Sequence, residues 1–286
     1  MSLKHIVAIA AGGSEDAETL AFAADIAAQH DAVVDILPVY PDTAIDMITL
    51  GMTLGATLSQ QAIEELAAAE RELQTRIETT ARSAANAADV VFGPGEGAPR
   101  MVLMGRGLRP ALALARGVTL ADLVIIGQGY LTGAGRGGEL LSQAMLQHRA
   151  PTLIARGRPE AMTTAAIAWD GSGHAGRAVK AALPLLAMAR EIHILQCVSS
   201  LDPTAADPDI DLLNDYLKLH GVGQGVQTLI EGASEGPALL AAAQGKQAGL
   251  LVAGAYGHSR LREAVFGGAT RAFLGAEKGP SLLLAH

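Results

Sequence analysis

Aromatic residues are scarce: 3% of 286 residues, with one Trp, four Tyr and four Phe. So few rings exclude the stacking platforms on which single-stranded nucleic acids are held. Basic charge is also short. Lys and Arg number 21 against 29 Asp and Glu, a net charge of −8, and an acidic surface repels a phosphate backbone. A single cysteine, Cys197, excludes an intrachain disulfide and fits a reducing compartment. Long apolar runs are missing too. The longest uncharged run, Met47 to Ile63, carries Thr, Ser, Gln and Gly throughout. It falls short of the roughly 20 apolar residues of a spanning helix, so it reads as a lid or packing helix. Met1-Ser2-Leu3-Lys4-His5 has no basic-then-apolar leader layout. The expectation is a soluble cytoplasmic protein with neither nucleic acid nor membrane as partner.

Hydrophobic residues make up 50%, charged residues 17%, and there are 33 glycines. Such a chain folds, and its core is built from Ala, Val, Ile and Leu with closely approaching backbones. Helices layered on parallel strands suit that composition better than an aromatic-rich β-sandwich.

The chain repeats itself. Ile6-Val-Ala-Ile-Ala-Ala-Gly-Gly-Ser14 matches Thr164-Ala-Ala-Ile-Ala-Trp-Asp-Gly-Ser172 at an offset of 158. The segment from Gly105 through Pro110 to Gly127 matches that from Gly232 through Pro237 to Gly254 at an offset of 127. Pro151-Thr-Leu-Ile-Ala matches Pro280-Ser-Leu-Leu-Leu. The first copy is longer by the difference of the offsets, 31 residues. The division is therefore 1–158 and 162–286, with Arg158-Pro159-Glu160 at the boundary. Each copy reads as five strands alternating with helices, which means βαβ crossovers and a parallel sheet. In the first, the strands are His5–Ala10, Val33–Val39, Arg100–Met104, Leu123–Ile126 and Thr152–Ala155, and a long helix, Gln60–Asn86, fills most of the extra length. In the second, they are Thr164–Trp169, Ile192–Val198, Val226–Ile230, Leu250–Ala253 and Ser281–Ala285. Ser172 is the expected cap of a helix running to Ala189, and Asp209–His220 is a further helix. Ligands of such sheets sit at the carboxyl ends of the strands, near a switch in strand order.

The loop after the fourth strand of the second copy runs from Gly254 through Gly257 and His258 to Gly267-Gly268-Ala269-Thr270-Arg271. Its spacing is Gly, two residues, Gly, nine residues, Gly. A nucleotide fits it. The first glycine lets a ribose approach the backbone, the second turns the chain toward the phosphates, and the third opens a helix whose free N–H groups attract an anion. Tight-turn punctuation is the plain alternative in a chain with so many glycines.

That spacing, the Asp170-Gly171-Ser172 turn and the final Pro-Ser-Leu-Leu-Leu strand resemble the universal stress protein family. The segment Gly257-His-Ser-Arg-Leu-Arg-Glu-Ala-Val-Phe-Gly-Gly-Ala-Thr-Arg271 resembles its bacterial tandem members. The resemblance covers the second copy, Thr164 to His286, in motif and the first in layout. It implies two tandem α/β domains of Rossmann-like, adenine-nucleotide-binding type, each with a five-stranded parallel sheet, packed as an internal pseudo-dimer. It also implies an adenine nucleotide (ATP, ADP or AMP), with Mg as accompanying ion. By position, Ala168 and Asp170 border adenine and ribose, and Val198 offers backbone bonds to the adenine edge. Ala253 and Gly254 contact the ribose, while Gly257, His258, Gly267, Gly268 and Ala269 cradle the phosphates. Family binders place Ser or Thr directly after the third glycine; here that residue is Gly268, with Thr270 as the replacement hydroxyl. The first copy departs further. Tyr130 stands at the position of Gly257, Leu140 at that of Gly267 and Gly12 at that of Asp170, which reads as a degenerate structural partner.

Other motifs carry less. Gly133-Ala-Gly-Arg-Gly-Gly138 matches G-x-G-x-x-G but begins six residues after the strand-end Gly127, and no acidic residue follows at a second strand end. No Walker A sequence occurs. The eight histidines form no close ligand pair, so no metal centre is expected. Cys197 reads as a small buried hydrophobe, and Trp169 as core packing or as a shield over the adenine. The glycine loop has no evident catalytic base, so the expected mechanism is binding read out by a protein partner, with homodimerisation a further option. Two alternatives stand beside it: a nucleotide-free scaffold or chaperone-like protein, and a slow ATPase in which Asp170 holds a divalent metal.

Overall fold

The structure, a computed structural model, describes residues 3–39, 60–104, 110–132, 137–202, 204, 206–232, 234–255 and 268–286. In the first half the strands are β1 (His5–Ala10), β2 (Val33–Pro38), β3 (Val91–Phe92), β4 (Arg100–Leu103), β5 (Leu123–Gly127) and β6 (Thr152–Ala155). In the second they are β7 (Thr164–Ala168), β8 (Glu191–Cys197), β9 (Gly225–Ile230), β10 (Leu250–Gly254) and β11 (Ser281–Ala285). The helices are α1 (Asp16–His30), α2 (Gln60–Ala87), α3 (Pro110–Val118), α4 (Gln128–Thr132), α5 (Gly137–Ser142), α6 (Gly173–Leu186), α7 (Ile210–Leu219), α8 (Glu235–Gly245) and α9 (Gly268–Gly275).

The strands form one sheet in the order β3-β4-β2-β1-β5-β6-β11-β10-β7-β8-β9. Neighbours are parallel except β6 and β11, which run antiparallel with Leu153 opposite Leu283. The repeat predicts two five-stranded sheets; the described residues instead make a continuous mixed sheet with six strands from the first half. Two physical facts account for the difference. The last strand of each half has an open ladder edge and apolar faces, so β6 and β11 satisfy each other. The chain leaving α2 also runs beside β4 long enough to add β3.

Strand residues alternate between two buried layers. Ile6, Ala8, Ile167 and Val252 face one layer with residues of α1, α2, α6 and α7. Val7, Ile9, Leu251 and Ala253 face the other with residues of α3, α5, α8 and α9. Apolar faces on both sides are what a parallel sheet covered by crossover helices requires. The Met47–Ile63 segment lies largely outside the described residues. No helix among the described residues is long and apolar enough to cross a membrane.

Candidate functional site

The strand β7 pairs with β8 on one side and β10 on the other. The chain therefore leaves β7 toward one edge and returns to its opposite side. That reversal opens a crevice at the strands' carboxyl ends. A cavity of about 510 Å³ fills it, within the roughly 300–1,000 Å³ range of ligand pockets.

Its walls grow from the local sequence. Asp170 Oδ1 accepts the Ser172 N–H at 2.9 Å, folding the turn after β7. Gly171 has φ +76°, and a Cβ there would overlap the Asp207 carbonyl, so glycine is required. Ser172 then caps α6, its Oγ accepting the Ala175 N–H at 3.2 Å. From β8, Leu195 and Cys197 form the floor at two-residue spacing, followed by Ser200. Ser200 donates to Glu235 Oε1 at 3.1 Å and so ties the strand end to the first turn of α8. The far wall is α9, with Gly268, Ala269, Thr270, Ala272 and Phe273.

Seven of the sequence-derived positions meet here: Ala168, Asp170, Ala253, Gly254, Gly268, Ala269 and Thr270. Val198, 48% exposed, begins a 3-10 turn, and Cys197 and Ser200 line the cavity at that point. Gly257, His258 and Gly267 lie outside the described residues. Gly254 has a reason beyond ligand approach: a Cβ there would stand 2.7 Å from the Ala175 nitrogen, so the end of β10 needs glycine to pack against the start of α6. Trp169 is 8% exposed and belongs to the buried cluster beneath α6 while also edging the cavity. Its indole N–H has no partner among the described residues.

Sequence reading missed His174, Ser200, Ser234 and Glu235 as cavity residues. His174 stacks against His286 at 4.8 Å between ring centroids. Glu235 carries one weak signal, its place two residues before Pro237 in the repeat. Nothing in the sequence sets it opposite Ser200. Among the described residues no three His, Cys, Asp or Glu side chains converge as metal ligands.

In the first half the residues at two of the matching positions, Tyr130 and Leu140, pack into the core. Leu140 and Leu141 are buried in the same layer as Val7 and Ile9, with Tyr130 and Leu131 packed against them. Asp16 accepts the N–H groups of Ala11 and Gly12 at 3.0 and 2.7 Å, so the turn after β1 closes on its own helix. Burial raises the Asp16 carboxyl above the usual range, and those two amide bonds oppose the rise.

The topology and the switch-point cavity define a doubly wound, Rossmann-like α/β protein. No family model and no curated protein matches the sequence. Solved structures do. A universal stress protein from Archaeoglobus fulgidus DSM 4304 is similar over 99% of this chain and 96% of its own, with a TM-score of 0.68 and 13% identity. A functionally unknown protein from Pseudomonas aeruginosa PAO1 is similar over 99% and 92%, with a TM-score of 0.56 and 15% identity. At such identities the likeness is one of fold: the chain has the fold seen in universal stress proteins.

Proposed function

We propose that the chain is a tandem stress-response regulator of the universal stress protein type that binds an adenine nucleotide (ATP, ADP or AMP) in the cleft of its second half. The observation that carries this reading is the convergence of seven motif-derived positions on one ligand-sized cavity at the switch point of the sheet. Stress association comes from the name of the structural neighbour from Archaeoglobus fulgidus. The tandem, pseudo-dimeric organisation is supported by strand order. Outward from the β6–β11 seam, both halves run last, penultimate, first and second strand, then the strand preceding the penultimate, with β3 added at the edge of the first half.

In this reading the N-terminal amides of α9 meet the phosphates, where free N–H groups and the helix dipole favour negative charge. The carboxylates of Asp170 and Glu235 accept from sugar hydroxyls. Asp170 already holds the turn after β7, which favours a binding role over a metal-bearing catalytic one. A protein partner reads the state of the loop between Gly254 and Gly268. The first half is a structural partner, with Leu140 packed in the core where the second half has Gly267.

Native mass spectrometry of freshly purified protein tests this reading, with an added mass of AMP, ADP or ATP expected. A Cβ at Gly268 meets nothing within 4 Å, so substitutions there spare the fold. Gly268→Asp sets a carboxylate against the phosphates and abolishes nucleotide binding. Gly268→Ser supplies the missing hydroxyl and tightens ATP by about tenfold relative to AMP, the worth of one charge-assisted hydrogen bond. Unchanged affinity in both variants, or no nucleotide binding by the native chain, sinks the proposal.

A further inference from the structure

The helix α9 has two ends with different neighbours. Its N-terminal residues Gly268, Ala269 and Thr270 wall the cleft. Its C-terminal carbonyls, which a helix cannot satisfy internally, are taken by side chains of the first half of the chain. Gln128 Nε2 donates to the Leu274 carbonyl at 2.9 Å. Arg156 Nη2 donates to the Phe273 carbonyl at 2.7 Å. Phe273 thus joins both sites, its side chain lining the cavity and its carbonyl held across the seam.

The two donors are locked to each other. Gln128 Oε1 accepts from Arg156 Nε at 3.0 Å and from Nη2 at 2.8 Å. Arg156 Nη1 donates to the Pro280 carbonyl at 3.0 Å, and its backbone N–H and carbonyl both bond the Ser281 hydroxyl, at 3.1 and 2.9 Å. Arg156 is 9% exposed, and every acceptor of its guanidinium is neutral. Burial lowers its pKa to about 10, so it stays cationic at neutral pH. A buried cation without a carboxylate is costly. The negative end of a helix is the partial charge that compensates it here.

We propose that Gln128 and Arg156 are positioning residues for the cleft of the other half: by holding the C-terminal carbonyls of α9 they fix where its N-terminal amides stand. The segment after β5, where α4 begins, corresponds to the start of the nucleotide cradle in the second copy and serves in the first as a clamp on the other copy's wall helix. The eight residues of α9 span about 12 Å at 1.5 Å each, short enough to move as a rigid rod. The consequence for ligand affinity rests on the nucleotide reading above; the clamp on α9 does not.

Gln128→Glu separates positioning from simple seam stability. Glutamate still accepts from Arg156, and as an ion pair, but it cannot donate to the Leu274 carbonyl and sets a negative charge against the helix end. Gln128→Ala removes the bond to Leu274 and both bonds from Arg156. The measurements are amide hydrogen exchange over 268–275 in the ligand-free full chain and ADP affinity by titration calorimetry. Both variants are expected to speed exchange over 268–275 by about tenfold and to weaken ADP by a similar factor, while Gln128→Glu keeps its unfolding midpoint. Exchange at the native rate in Gln128→Glu overturns the clamp. Native ADP affinity in variants whose exchange has risen overturns its hold on the cleft. If the native chain binds no ADP while exchange rises in both variants, the clamp stands and the nucleotide reading falls.

Discussion

His5 and Asp35 meet at 2.9 Å across adjacent strands β1 and β2. The hydrogen bond to the carboxylate raises the His5 pKa above 6.5. His30, at the end of α1, is lowered, first by burial and then by the Lys4 charge. The signs oppose each other. His5 binds its proton more tightly folded than unfolded, so its contribution is complete below 6.5 and is lost as pH rises through the folded value. The His30 contribution is present above 6.5 and is lost as pH falls. Asp35→Asn should therefore destabilise the protein more at pH 5.5 than at pH 8 by urea unfolding, and NMR should show His5 titrating lower in the variant. An equal loss at both pH values refutes the pairing. At this scale the sequence was informative about residue type and weak about neighbours. Gly254 was identifiable from its place at a strand end, and Asp170 from the family resemblance. His5–Asp35, Ser200–Glu235 and Gln128–Arg156 were not, because each pair is brought together by strand order rather than by spacing.

Elements were legible where period and punctuation agreed. Ser172 caps α6 as expected, and Pro184 lies inside that helix, which ends at Leu186 rather than Ala189. Pro110 opens α3 and Pro237 falls in the first turn of α8, positions where a missing N–H costs little. The long helix runs Gln60–Ala87, one residue past the expected Asn86. Two residues were too few to signal a strand, so β3 was invisible. One element contact bears directly on the cleft. Gly236 of α8 lies so near α9 that a Cβ would stand 2.6 Å from the Ala269 Cα and 2.8 Å from the Ala272 Cβ. In Gly236→Ala the gain in helix propensity is at most about 1 kcal/mol, and overpacking costs about 1–3 kcal/mol. The clash wins: α9 is expected to shift and urea stability to fall, and on the nucleotide reading ADP affinity falls with it. Stability equal to or above the native value would show that α9 yields without cost.

For the molecule as a whole, the seam between β6 and β11 is decisive. Leu153 and Leu283 stand opposite each other, fully buried in one cluster that contains residues from both halves. Each Leu→Ala change should cost about 2–5 kcal/mol. The double variant should deviate from additivity by about 0.5–3 kcal/mol, as for residues in contact. Because one sheet and one buried cluster cross the seam, unfolding should remain a single transition in all of them. Two resolved transitions would mean that the halves unfold independently.

Composition, strand–helix alternation and glycine spacing by themselves determined an α/β chain and pointed to the carboxyl ends of the second half's strands. Those features are local, set by side-chain period and glycine placement. Tertiary structure alone decided that the two sheets become one and that Gln128 and Arg156 reach across to α9. These outcomes depend on which open strand edges pair and on which helix end a buried cation can use. That choice is made by the whole fold, between residues more than a hundred positions apart.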